Sequence, residues 1–269
     1  MTKQSNTYQS VKLSKYSSIK LEDNLVIEAP LQININNEPY TVVMRTPGSD
    51  EALIKGLLYA EDICKKNEDL KLSIVKAKED YSAVINVSIR KEKLGKGYLN
   101  KRTLLSISSC GICGKKELKD LEVTGGSLKK EDTMGFEFFV YIVGFMFLKM
   151  KELQNTFKVT GGSHACAIFN KKNELLTIQE DIGRHNAVDK CIGNLISNSK
   201  LKEAKYMLVS GRVSYEIVSK AFLAKIPFII AVSACSSLAV DFAKEFGICL
   251  IGFSRDDKMT IYANPHFLY

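Results

Sequence analysis

Tryptophan is absent from this chain of 269 residues, and only three histidines occur. No recognisable nucleic-acid-binding motif accompanies those aromatics that are present, so nucleic acid is not an expected partner. The longest apolar run, Phe136 to Leu148, contains Glu137 and stops short of the ~20 residues that span a bilayer. It reads as a buried helix, and no membrane association is expected. The opening residues, Met1 to Tyr8, lack the apolar core of a signal peptide, which makes the cytoplasm the expected compartment. Seven cysteines form no repeating framework, and an odd count argues against a secreted disulfide scaffold. Five of them, Cys64, Cys166, Cys191, Cys235 and Cys249, stand singly among apolar neighbours and read as small buried hydrophobes.

The other two cysteines stand together in Ser109-Cys110-Gly111-Ile112-Cys113-Gly114. Arg90, Lys91, Lys93, Lys96, Lys101 and Arg102 precede the pair, and Lys115, Lys116 and Lys119 follow it. Nearby cations favour thiolate over thiol, and the thiolate is the nucleophile. Glycine after each cysteine frees the backbone and keeps bulk away from the sulfurs. The segment therefore proposes a reactive dithiol. A structural zinc site would need a second Cys pair or a His-x-x-x-His, and neither is present, so no metal is expected. Across the whole chain 38 Lys and Arg face 30 Asp and Glu, a net charge of +8, which suits an anionic partner.

Residues 1–24 are polar and read as a loose tail or a marginal edge strand. A smaller mixed α+β domain is expected over residues 25–130, ending in the Cys-x-x-Cys loop. Its elements are a hairpin across Asn36-Asn37, a helix from Ser49 with Leu53, Ile54, Leu57 and Leu58 on one face, and two strands, Leu70 to Ala77 and Tyr81 to Arg90. Residues 131–269 open on the long apolar helix. Short apolar strands then alternate with amphipathic helices from Lys205 to Phe253. That pattern predicts a parallel sheet covered by helices, an α/β domain.

In such sheets ligands bind outside the carboxyl ends of the strands. The strand ends run into Ser210-Gly211-Arg212, Ser233-Ala234-Cys235-Ser236 and Ser254-Arg255-Asp256-Asp257-Lys258, so a pocket is expected where they meet. Ser214 and Ser236 or Ser237 are candidate N-caps, and the helix starts they mark would present free N–H groups to phosphate. Arg184, Arg212 and Arg255 add bidentate donors. His164 and His185 each lie in a glycine-bearing loop, as ligand contacts or as hydrogen-bonded structural histidines.

Cys110-Gly-Ile-Cys113-Gly, Thr160-Gly-Gly-Ser-His-Ala, Glu180-Asp-Ile-Gly-Arg-His-Asn-Ala-Val-Asp-Lys190, Ser210-Gly-Arg212 and Ser236-Ser-Leu-Ala-Val240 resemble the formate dehydrogenase accessory sulfurtransferase family, FdhD. The resemblance implies an enzyme that accepts persulfide sulfur from a cysteine desulfurase and passes it to the bis-molybdopterin guanine dinucleotide form of the molybdenum cofactor, for formate dehydrogenase. It also implies a cytidine-deaminase-like three-layer C-terminal domain, a homodimer and a cytoplasmic protein. By position, Cys110 and Cys113 match the family's reactive pair, and Phe253, Ser254, Arg255, Asp256, Asp257 and Lys258 match its cofactor-contacting segment. Cys166 and Cys235 replace an alanine and a proline expected in the family, which places extra thiols near the pocket. A non-catalytic carrier of the finished cofactor is the alternative function.

Overall fold

The computed structural model describes residues 2–99, 126–128, 136–255 and 257–268. Cys110, Cys113 and Asp256 lie outside the described residues. Residues that read as a loose tail or a marginal edge strand form a long antiparallel hairpin, β1 (Ser5–Leu13) with β2 (Ser18–Val26). Cross-strand polar pairs such as Thr7 with Asn24 and Gln9 with Glu22 brace it in place of apolar alternation, which is why periodicity alone did not show it. Gln4 ties its base down, donating to the Pro47 carbonyl and accepting from the Thr156 hydroxyl.

β3 (Ala29–Ile35), β4 (Glu38–Arg45), β5 (Lys71–Ala77) and β6 (Ala83–Ser88) form a sheet in the order β4-β3-β6-β5. Asn36 and Asn37, both at positive φ, make the predicted β3–β4 turn, a conformation asparagine tolerates better than most residues. Leu31, Ile33 and Ile35 of β3 bury one face against Leu53, Ile54, Leu57 and Leu58 of α1 (Asp50–Ala60), so the predicted helix stripe is core.

The second sheet has six strands in the order β12-β11-β10-β9-β7-β8. β9 (Ala204–Val209), β10 (Phe228–Ala231) and β11 (Cys249–Arg255) run parallel, joined by α5 (Tyr215–Leu223) and α6 (Ser237–Phe246). These elements match the predicted alternation. The sheet as a whole is mixed, because β7 (His164–Asn170) pairs antiparallel with both β9 and β8 (Leu175–Asp181). β12 (Lys258–Ala263), beyond the predicted alternation, returns antiparallel along β11 across a bulge.

Alternate residues of β7 point to opposite faces. Cys166 and Ile168 join the core under α4 (Arg184–Ser197), α5 and α6, while Ala165, Ala167 and Phe169 join the core under α2 (Phe136–Leu153). The two sheets are fused where α1 crosses α4. A Cβ on Gly56 would overlap the Asp189 backbone, and one on Gly193 would overlap the Ala52 carbonyl, so only glycine lets the helices approach this closely. Beside the crossing, the buried Lys190 ammonium meets the Asp181 carboxylate at 2.7 Å and donates to the Thr46 carbonyl at 2.8 Å. Asp181 also accepts from the Thr46 and Gly183 N–H groups and from Asn186. No described helix is long and apolar enough to cross a membrane.

Candidate functional site

A cleft of about 940 Å³ opens at the carboxyl ends of β9, β10 and β11, the location expected from the strand order. Ser210, Val232, Ser254 and Arg255 line its floor from three successive strand ends, and Asp257, Lys258 and Met259 continue the wall past β11. β7 runs antiparallel to β9, so its first residue, His164, comes to the same edge. The chain reaches it through α3 (Asn155–Thr160), which Gly161 closes at φ 63°, and through Gly162 and Ser163, which also border the cleft. Glu180 holds this approach in place by accepting from the Thr156 and Phe157 N–H groups at the start of α3 and from the Ser163 hydroxyl.

The opposite wall is α2. Phe139, Ile142, Val143, Met146 and Met150 bury its inner face, but Phe138, Tyr141, Phe145 and Leu148 stay exposed along the outer one. The expectation of a wholly buried helix is therefore corrected. A run that is apolar on every side gives no clue to which face is covered. Tyr141, Gly144, Phe145 and Leu148 were missed as lining residues for the same reason, although a glycine in the middle of such a helix was an available signal.

One end of the cleft is cationic. The Ser210 hydroxyl lies 3.4 Å from His164 Nδ1 and accepts from the Ala165 N–H at 2.9 Å. Behind His164 stands Gly211, where a Cβ would lie 3.2 Å from His164 Nδ1 and 3.4 Å from Arg184 Cδ. Burial first, and then the charges of Arg184 and Arg212 against the opposing pull of Asp181, hold the His164 imidazole below the ordinary histidine range. Arg184 opens α4, and its Nε is buried with no hydrogen-bond partner among the described residues. A buried guanidinium donor left open at a helix start is suited to an anionic oxygen.

Of the sequence-predicted residues, His164, Ser254, Arg255, Asp257 and Lys258 line the cleft. Gly211 lies against His164 and the Arg212 charge acts on its imidazole, but neither residue lines the cleft, and Phe253, held at φ 50° and 42% exposed, is not part of the wall either. His185 is buried away from the cleft, with Nε2 3.0 Å from the Ser214 hydroxyl and Nδ1 3.3 Å from the Glu216 carboxylate. Its position corrects the expectation of a ligand contact. Ser236 caps α6 by accepting from the Ala239 N–H, as expected, whereas Ser214 makes no such cap on α5. The two atypical thiols also stand off the cleft. Cys166 is fully buried beneath α4, where its thiol is held well above the ordinary range, and burial pushes Cys235 up to about 11. Neither environment favours a thiolate.

The FdhD/NarQ family model matches residues 26–268. Among individual proteins, the sulfur carrier protein FdhD of Saccharolobus solfataricus is 38% identical over 267 residues, covering 97% of each chain. The protein of that name from Streptomyces coelicolor is 39% identical over 247 residues, covering 90% of this chain and 87% of its own. The crystal structure of a candidate formate dehydrogenase accessory protein from Desulfotalea psychrophila covers 99% of this chain and all of its own, with a TM-score of 0.77 at 21% identity. At that identity the likeness is one of fold.

Proposed function

Since this chain belongs to the FdhD/NarQ family, we propose that it is a sulfurtransferase that takes persulfide sulfur from a cysteine desulfurase and delivers it to the bis-molybdopterin guanine dinucleotide molybdenum cofactor required by formate dehydrogenase. The observation that carries this reading is the cleft: about 940 Å³ with an apolar wall on α2, and with His164 and the cations Arg255 and Lys258 on its lining, suited to phosphate. The cofactor is the substrate that occupies it. In this reading the six-stranded domain is the cytidine-deaminase-like part of the protein, the protein acts in the cytoplasm as a homodimer, and the Cys110/Cys113 loop brings sulfur to the cleft.

The chemistry balances with thiols alone. A Cys110 or Cys113 thiolate attacks the outer sulfur of the desulfurase persulfide, forming a new S–S bond as the old one breaks and the donor thiolate leaves. The carrier persulfide then hands on that sulfur by one of two routes. The second cysteine attacks the inner sulfur and releases sulfide as a Cys110–Cys113 disulfide forms, after which a dithiol reductant must restore the pair. Alternatively, the ligand attacks the outer sulfur directly: the S–S bond breaks, the carrier leaves as one thiolate, and the ligand supplies the electron pair and is itself oxidised by two electrons. Cations around the dithiol favour the attacking thiolates, and those at the cleft draw in the phosphates.

Intact-protein mass spectrometry without reductant, after incubation with a cysteine desulfurase and cysteine, tests this function. A gain of one sulfur, about 32 Da, that disappears in Cys110→Ala or in Cys113→Ala is expected and names the carrier. No adduct on the wild type, together with intact binding of guanine nucleotide and intact activation of formate dehydrogenase by Cys110→Ala/Cys113→Ala, would make the protein a non-catalytic cofactor carrier instead.

A further inference from the structure

Two neighbouring helices start on a serine in extended N-cap geometry, and the two serines behave differently. Ser236 (φ −80°, ψ 155°) gives its hydroxyl oxygen to the Ala239 N–H at 3.3 Å. Ser214 (φ −99°, ψ 169°) has equivalent geometry but makes no cap bond. Its hydroxyl is turned to His185 Nε2 at 3.0 Å. The stabilisation a serine brings as N-cap is forgone at α5.

The far side of the same imidazole faces Glu216, whose carboxylate lies 3.3 Å from Nδ1. A carboxylate only accepts, so Nδ1 carries a proton, and Nε2 meets the Ser214 hydroxyl as acceptor in the neutral ring or as donor in the charged one. The His185 side chain is 6% exposed and that of Glu216 13%, and neither lines the cleft. This order of groups is therefore not placed to attack a ligand there. What it does join is two helix starts. His185 is the second residue of α4, directly after Arg184, and Ser214 and Glu216 flank the first residue of α5, with Val213 between Ser214 and Arg212.

We propose that Ser214, His185 and Glu216 form a clasp that fixes the start of α5 to the start of α4, and so sets Arg212 and Arg184 beside His164 at the cationic end of the cleft. The three are positioning residues. They act on the phosphate-bearing ligand through the two arginines, and Gly211 supplies the narrow passage that lets Arg184 and His164 meet. This inference rests on reading the cleft as an anion site.

His164 offers a readout of the clasp that needs no ligand. Arg184, Arg212 and Asp181 are the charges acting on its imidazole, and the Ser210 hydroxyl is its polar neighbour. With three histidines in the chain, the imidazole signals can be assigned by single replacements and titrated by NMR. Ser214→Ala and Glu216→Gln are expected to raise the His164 midpoint toward the ordinary histidine value, as Arg212 is released. GDP affinity is expected to fall about tenfold, with the melting temperature nearly unchanged. Ser214→Thr keeps the hydroxyl and should restore both, and Ser236→Ala should lower stability while leaving both alone. A Ser214→Ala protein with the wild-type His164 midpoint and wild-type GDP affinity would overturn the clasp. Should the wild type bind no GDP, the anion-site reading fails on its own, and the His164 midpoints still decide whether the clasp sets the arginines.

Discussion

The two faces of the six-stranded sheet are built to opposite specifications. Under α4, α5 and α6 the apolar side chains are buried without a break, the α1–α4 crossing closes to backbone contact, and buried charges are paired. Under α2 the inner residues are equally buried, but the helix stands back to leave a cleft and carries four exposed apolar side chains along its outer edge. The difference separates stability from ligand handling by face. Substitutions on the sealed face should be read in melting temperature, and those on the open face in binding.

The largest effect is expected at Lys190, whose side chain is 1% exposed against 0% for Asp181. Lys190→Met leaves that carboxylate with N–H partners and no cation. Breaking a buried pair from one side costs about 3–5 kcal/mol, which for a chain of this size lowers the melting temperature by roughly 10 °C. Calorimetry checks it, and a loss below about 1 kcal/mol would mean that the sealed face admits water to the carboxylate.

Next comes Gly56→Ala. The new methyl meets the Asp189 backbone, which unlike a side chain cannot turn aside, so α1 and α4 must separate. Overpacking of this kind costs about 1–3 kcal/mol. A melting temperature equal to the wild type's would show that the crossing is looser than the structure has it.

The same contrast governs what could be read before the fold was known. Alternating strands and striped helices were legible where one face is apolar and the other polar, as in β3 and α1, and the units from β9 to β11 were legible as short apolar runs between amphipathic helices. The cleft's place was legible too, because strand order alone sends Ser210, Ser254 and Arg255 to one edge. Three things were not. The β1–β2 hairpin is held by polar cross-strand pairs that leave no apolar period, and α2 is apolar all round, which hid its lining residues. His185 shows the third limit. A histidine in a loop beside glycine and arginine suits a ligand or a neighbour equally well, and only the positions of Ser214 and Glu216, 29 and 31 residues onward, decide for the neighbour.

The smallest effect on stability, and the one that tests the comparison most directly, belongs to Gly144→Ala. It is the same substitution as at Gly56, now in the middle of α2 on the cleft wall. Among the described residues a Cβ there would meet the Asp257 carboxylate alone, at 3.7 Å, which is ordinary contact. With no clash to oppose it, the reduced backbone entropy of the unfolded chain stabilises the helix by roughly 0.5–1 kcal/mol. The melting temperature should therefore rise by about 2 °C, opposite in sign to Gly56→Ala. The methyl also projects into the space assigned to the ligand, so GDP affinity should fall in the protein whose stability has risen. A variant that is less stable than the wild type would place α2 in the sealed class and remove the distinction between the faces. A variant that is more stable but binds GDP unchanged would leave the distinction standing and shift the ligand toward the cationic end, away from Gly144.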